Sequence, residues 1–215
     1  GIKRGLYLIE KSMAGGYPVH EYEIAQALVP NCAISHWSAL HHHGMTEQVP
    51  RKVFATTTTR TWVPYVRGSG KKDGYPVGKI HYQYIRVKPK RFFGHLSVWV
   101  GEVKVKMTDM ERTLLDGLTM PQYFGGFPEV LNAFEHHAEK VDLGKIIVYA
   151  LRLDVSIAKR LGWVLERQGV APKKLAALAD APTKSFHKLN PSGPDAGSCN
   201  RRWMVRENFG RKGKA

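Results

Sequence analysis

"EVKVKMTDMERTLLDGL", residues 102–118, changes its period part-way along. Up to Met107 the period is two: Val103, Val105 and Met107 alternate with Lys104 and Lys106, the pattern of a strand with one packed face and one wet, positive face. From Thr108 the period is helical. Met110, Leu114, Leu115 and Leu118 recur on one side, and Thr108 and Glu111 have the spacing of a capping box. A strand that runs straight into a helix divides the chain, and the sequence on either side follows the division.

Upstream, "KVFATTTT" (52–59), "KIHYQYIRVK" (79–88) and "GHLSVWV" (94–100) are β-branched and aromatic runs bounded by Gly or Pro. With "EVKVKM" they predict a sheet of about four strands. "RGSGKKDGYPVG" (67–78) is glycine-rich without an apolar period and reads as a long mobile loop. Its GSGK string is no phosphate loop, because Lys72 follows Lys71 and no helix-forming segment comes next. Near the front, "KSMAGGYPVH" (11–20) reads as a linker, and "EYEIAQALVP" (21–30) as a short helix burying Ile24, Ala27 and Leu28.

Downstream, "FPEVLNAFEHHAE" starts with Pro128 in the first turn of a helix. "VDLGKIIVYALRL", "VSIAKRLGWVLERQG" and "PKKLAALAD" complete a helical layer, and in the tail (189–208) the stretch Trp203 to Val205 reads as a strand returning to the body. Strands segregated from helices make the fold class α+β, a mixed antiparallel sheet followed by a helical layer.

"SHWSALHHHG", residues 35–44, is a short helix capped by Ser35, with Trp37, Leu40 and His41 on one face and Gly44 set to end it in the left-handed conformation. His41, His42 and His43 diverge by about 100° from one to the next, so they cannot converge on a metal ion. His136 and His137 are side by side in the same way. No metal and no cofactor is expected.

The chain has 215 residues, enough for a sizeable core, and 33 Lys and Arg against 18 Asp and Glu give a net charge of +15. That excess suits a polyanionic partner, usually nucleic acid; the competing explanation is solubility, since the last five residues, "RKGKA", hold three of the charges. No run reaches the roughly 18 apolar residues that span a bilayer, and no signal-peptide pattern opens the chain, so no membrane association and a cytoplasmic location are expected. Cys32 and Cys199 could form one bridge, but inside a cell both are expected to be reduced.

Asp109, Glu111, Asp116, Glu129 and Glu135 are each explained by a cap, a first-turn dipole partner or a solvated face, and no nucleophile–base pairing is legible. An enzyme is not expected. The rival assignment is a metal-dependent nucleic-acid-processing enzyme built on Asp109, Glu111 and Asp116, of which Asp109 and Asp116 would share a helix face; a third is an RNA-binding scaffold. The basic residues are better organised. Arg86, Lys88, Lys90 and Arg91 flank Pro89 at one strand's end, and Lys104 and Lys106 share one side of another strand, so together they form either a phosphate-binding stripe or a solvated face.

Six blocks in order, "GIKRGLYLI" (1–9), "ISHWSALHHHGMTEQVP" (34–50), "VKMTDMERTLLDGL" (105–118), Gly125–Gly126, "RLGWVLE" (160–166) and "LNPSGPDAGSCNRRWMVREN" (189–208), resemble the AbiEi family of antitoxins from bacterial abortive-infection, type IV toxin–antitoxin systems. The resemblance implies an N-terminal winged helix-turn-helix on operator DNA, then an α/β and a helical antitoxin part. It implies an autorepressor that counteracts a nucleotidyltransferase toxin, its partner in function. On that basis residues 1–16 are the remnant of the wing, with Lys3 and Arg4 on DNA and most of that domain upstream of Gly1. Residues 17–107 are then the α/β subdomain and 108–215 the helical one with its tail. The resemblance also supports core packing, and not metal binding, for residues 35–44.

Overall fold

The computed structural model describes residues 19–60 and 74–209. They form two compact units, one of residues 19–42, 48–60 and 74–109, the other of residues 43–47 and 110–209. The fold is α+β. The wing residues Lys3 and Arg4, all but the last two residues of the 11–20 linker, and most of the glycine-rich loop lie outside the described residues.

The first unit is a six-stranded mixed sheet with two helices packed against it. Helix α1 (Glu21–Leu28) precedes β1 (Ala33–Ile34), α2 (His36–His42), β2 (Lys52–Thr57), β3 (Tyr75–Val77), β4 (Ile80–Arg86), β5 (His95–Val100) and β6 (Val103–Thr108). The spatial order is β3-β4-β2-β1-β6-β5. Two pairings, β1 with β6 and β2 with β4, are parallel and the others antiparallel. Two strands exceed the expected four. Ala33–Ile34 is too short to leave a period, and Tyr75–Val77, placed by the sequence in the loop, pairs with β4 as an edge strand that tolerates Pro76.

Helix α1 buries Tyr22, Ala25 and Leu28, while Ala27 is exposed and Ile24 only partly buried. The expected face is displaced because Tyr22 belongs inside: its hydroxyl donates to Ser38 O at 3.1 Å, which satisfies the one polar atom of a large apolar ring. The small Ala25 lets the sheet come close, and the Tyr84 hydroxyl donates to its carbonyl at 2.8 Å. Beneath this helix Ile34, Val53, Ala55, Tyr82, Tyr84, Val105 and Met107 make one core. Cys32 belongs to it, and burial pushes its thiol up to about 12. Both cysteines are free.

Helix α2 buries His36, Ser38, Ala39 and Leu40, leaving Trp37 and His41 half-buried. The Ser35 carbonyl accepts from Ala39 N at 3.3 Å, opening the helix. The Ser35 hydroxyl, expected as the cap, receives the Thr56 hydroxyl at 2.8 Å and lies 2.8 Å from His36 Nδ1. Gly44 has φ +66°, the left-handed stop its position predicted.

In the second unit, α3 (Met110–Thr119) is buried from Glu111 to Leu118, with α4 (Phe127–His137), α5 (Leu143–Leu153) and α6 (Val155–Arg167) packed on it. Both residues of the expected capping box reach to distant partners. Thr108 ends β6 and its hydroxyl donates to Ile34 O at 3.4 Å, while the Glu111 carboxylate turns to α5. Asp142 and Asp154 cap α5 and α6 through Lys145 N and Ser156 N at 3.0 and 2.9 Å. Residues 43–47 join this unit: Met45 is buried and the Thr46 hydroxyl donates to Glu129 at 2.6 Å.

Helix α7 (Ala176–Ala179) and three short strands, β7 (His187–Lys188), β8 (Ser198–Asn200) and β9 (Val205–Glu207), finish the unit, with β9 central. The returning strand thus starts at Val205, and Trp203 sits in the turn before it, fully buried with Nε1 donating to Glu166 at 2.7 Å. Gly162 on α6 makes room for that indole, since a Cβ there would lie 1.9 Å from Trp203 Cζ3. Gly162→Ala should therefore cost about 3 kcal/mol of stability, as overpacking does, read as a lower midpoint in urea denaturation; an unchanged midpoint would contradict this seating of Trp203.

Candidate nucleic-acid interface

The hairpin β5–β6 combines positive charge with an exposed aromatic ring. Its register pairs His95 with Thr108, Ser97 with Lys106 and Trp99 with Lys104. Directly opposed residues share a face. Val98, Val100, Val105 and Met107 take the core side, which sends Trp99, Lys104 and Lys106 to the other. Gly101, at φ +61°, makes the turn between the strands, and β5 is an edge of the sheet.

Trp99 is 64% exposed, unusual for so large an apolar ring. The Lys104 ammonium lies 4.8 Å from its centroid and the Lys106 ammonium 5.8 Å from that of Phe92, whose ring is in turn 4.3 Å from His95. Lysines over aromatic faces are held by the ring quadrupole. The result is a strip of cations and rings along the outer side of the β5–β6 hairpin, suited to phosphates through its ammonium groups and to flat ligands through its rings.

The expected six-residue stripe is only partly assembled. Lys104 and Lys106 are together. Lys88 and Lys90 are exposed on the connection from β4 to β5, where Pro89–Arg91 forms a single 3-10 turn that leads into Phe92; Arg91 is half-buried. Arg86 is exposed at the end of β4, but it follows Tyr82 and Tyr84 at a period of two, so it belongs to the face under α1, and β2 and β1 stand between its strand and β6. Phe92 and Trp99 went unnoticed in the sequence. "GHLSVWV" reads only as a strand, and the register, set at the Gly101 turn, is what places Trp99 opposite a lysine.

The carboxylates of the rival assignment are engaged elsewhere. Asp109 precedes α3 and is not on its face. Asp116 accepts from Arg112 Nε at 2.9 Å within α3, both side chains being buried. Glu111 accepts from Asp142 N at 3.0 Å and from Lys145 Nζ at 2.8 Å. His41 and His42 end α2 and His43 follows in the turn. Among the described residues no three His, Cys, Asp or Glu side chains are grouped to hold a metal ion, and no helix is long and apolar enough to cross a membrane.

These features define a class: a two-unit α+β protein with a basic, aromatic sheet face. No family model and no curated protein matches the chain. Among solved structures it is similar to the RV2827C protein from Mycobacterium tuberculosis, with a TM-score of 0.57 and 14% identity over 84% of this chain. The chain spans 64% of that protein's length, and the likeness is one of fold.

Burial raises the Glu111 pKa, but Lys145 and the Asp142 and Glu111 backbone N–H groups outweigh it and hold the carboxyl below its ordinary value of 4.5. A carboxylate whose pKa is depressed by folding adds stability that is present above the unfolded value and disappears as pH falls through the folded one. Glu111→Gln should then cost about 1–3 kcal/mol at neutral pH, and its deficit against the parent should shrink as the pH drops below 4.5. Urea titrations at pH 7 and at successively lower pH measure it; a deficit that stays constant with pH would contradict the pairing.

Proposed function

We propose that this chain is the antitoxin and autorepressor of a type IV toxin–antitoxin pair. It counteracts a nucleotidyltransferase toxin, acts in the cytoplasm without an enzymatic reaction of its own, and meets a polyanionic partner on the β5–β6 face. The observation that carries the last point is the strip of Trp99, Lys104 and Lys106, with one ammonium group over the exposed Trp99 ring and the other over Phe92, on a hairpin whose reverse is packed. The net charge of +15 supports it, because counterion release from a nucleic acid rewards such a surface.

The antitoxin identity rests on the six ordered sequence blocks, and the succession of a sheet-bearing unit and a helical unit supports it. The resemblance assigns operator DNA to the N-terminal domain, with Lys3 and Arg4 on the phosphates. Two of the carboxylates on which a nuclease would depend, Glu111 and Asp116, are already committed to Lys145 and Arg112.

The test is co-expression with a candidate nucleotidyltransferase toxin, read as growth. The parent chain should restore growth, and the Lys88→Gln, Lys90→Gln, Lys104→Gln, Lys106→Gln variant should fold, since exposed charges carry little stability, yet restore growth poorly at equal protein level. Full rescue by the variant would remove the basic face from the mechanism. Absence of rescue by the parent would remove the antitoxin assignment.

A further inference from the structure

The geometry points to unpaired nucleotides as the ligand of the β5–β6 face: this surface is a stacking platform for single-stranded nucleic acid. The inference rests on the proposal that the face contacts a polyanion and goes beyond it by naming the strandedness of the partner.

Phosphates alone would account for lysines but not for Trp99. An indole left 64% exposed near the turn end of an edge strand buries only a minor part of its surface in the fold, and its neighbour across the register is Lys104, whose ammonium lies over the ring, and not an apolar side chain that would cover it. Duplex nucleic acid has no use for it, because duplex bases are stacked on each other and present only their edges in the grooves. Nor is the hairpin a free-standing ribbon of the kind a major groove admits: Val98 and Val100 on its reverse pack against the core cluster. An unpaired base has an open π-face, and any base offers one to an aromatic side chain.

The cations are spaced for the same ligand. Lys104 and Lys106 are two residues apart on one strand face, roughly 7 Å at the rise of an extended chain, which is comparable to the step between phosphates along a stretched single strand. Lys104 lies over Trp99 and Lys106 over Phe92, so each ammonium group accompanies a ring. A base on each ring would leave its phosphate near a lysine. Lys88 and Lys90 are exposed on the segment that leads into Phe92 and add positive charge close to it in the chain. None of these groups reads a base edge, so binding should tolerate any sequence and weaken steeply with salt.

The experiment uses the full chain and fluorescein-labelled oligo-U, oligo-dT and a duplex, each about twelve nucleotides long, within the site sizes of known single-strand platforms. Binding is followed by anisotropy at several salt concentrations. Both single strands should bind tighter than the duplex, and the oligo-U to oligo-dT ratio tells an RNA ligand from a DNA one. Trp99→Ala should lose about tenfold in affinity for single strands while Trp99→Phe keeps most of it, since a stacked base is worth about that factor. Trp99 is exposed, so both variants should keep the parent's circular dichroism and urea midpoint. Equal or tighter binding of the duplex, or a Trp99→Ala variant that binds single strands like the parent, overturns the inference. If Lys104→Gln with Lys106→Gln abolishes binding while Trp99→Ala leaves it intact, the polyanion surface stands and only the stacking platform fails. Binding indifferent to all three substitutions removes both.

Discussion

The burial of Val105 and Met107 fixes the first unit. Both side chains are fully enclosed beneath α1, and a strand with two inward residues held in this way has one permitted register. A slip by one residue would bury Lys104 and Lys106 and expose the core pair, which no compensation in this fold offsets. From that constraint the rest of the hairpin follows. The turn at Gly101 sets Trp99 across from Lys104, and the two lysines that the core rejects become the centre of the basic face.

The helical unit solves a different problem, how to bury charge. Arg160 on α6 is 9% exposed and donates to Lys188 O at 2.7 Å and Leu118 O at 3.3 Å, so one guanidinium ties the end of α3 to β7. Burial lowers its pKa to about 10, with Asp154 opposing. Lys159 donates to Leu178 O and Ala179 O at the C-terminal end of α7, where carbonyls lack helical partners. Arg160 and Lys159 are thus directed at backbone carbonyls, while the buried Arg112 is paired with Asp116. Trp163 and Trp203 likewise give their N–H groups to Glu207 and Glu166.

The two units therefore use basic residues in opposite ways. In the helical unit Arg160 and Lys159 are structural. In the sheet unit Lys88, Lys90 and Lys104 are exposed, and Lys104 and Lys106 are organised by aromatic rings. A net charge distributes itself between such roles without any signature in composition, which is why +15 by itself indicates a class of partner and not a place for it.

Sequence alone determined the fold class and most elements, because periodicity is local: the switch from two to 3.6 at residues 107–110, Pro128 in the first turn of α4 and the stop at Gly44 are properties of short windows. It also singled out Lys104 and Lys106. What it could not determine depends on partners distant in the chain. Tyr22 and not Ala27 faces the sheet because Ser38 O waits sixteen residues away to take its hydroxyl. Thr108 and Glu111 have the spacing of a capping box, yet Glu111 is drawn to Lys145 and Asp142 on a helix that a local pattern cannot foresee. Arg86 and Lys104 look like neighbours in a basic run, and only the strand order, with β2 and β1 between them, sends them to different places. Trp99 was an ordinary strand residue until the register set it beside a lysine and left it open to solvent. Local periodicity settles which face of an element is apolar, but the residue that stands against each face is settled by long-range packing, and the candidate interface is made of such pairings.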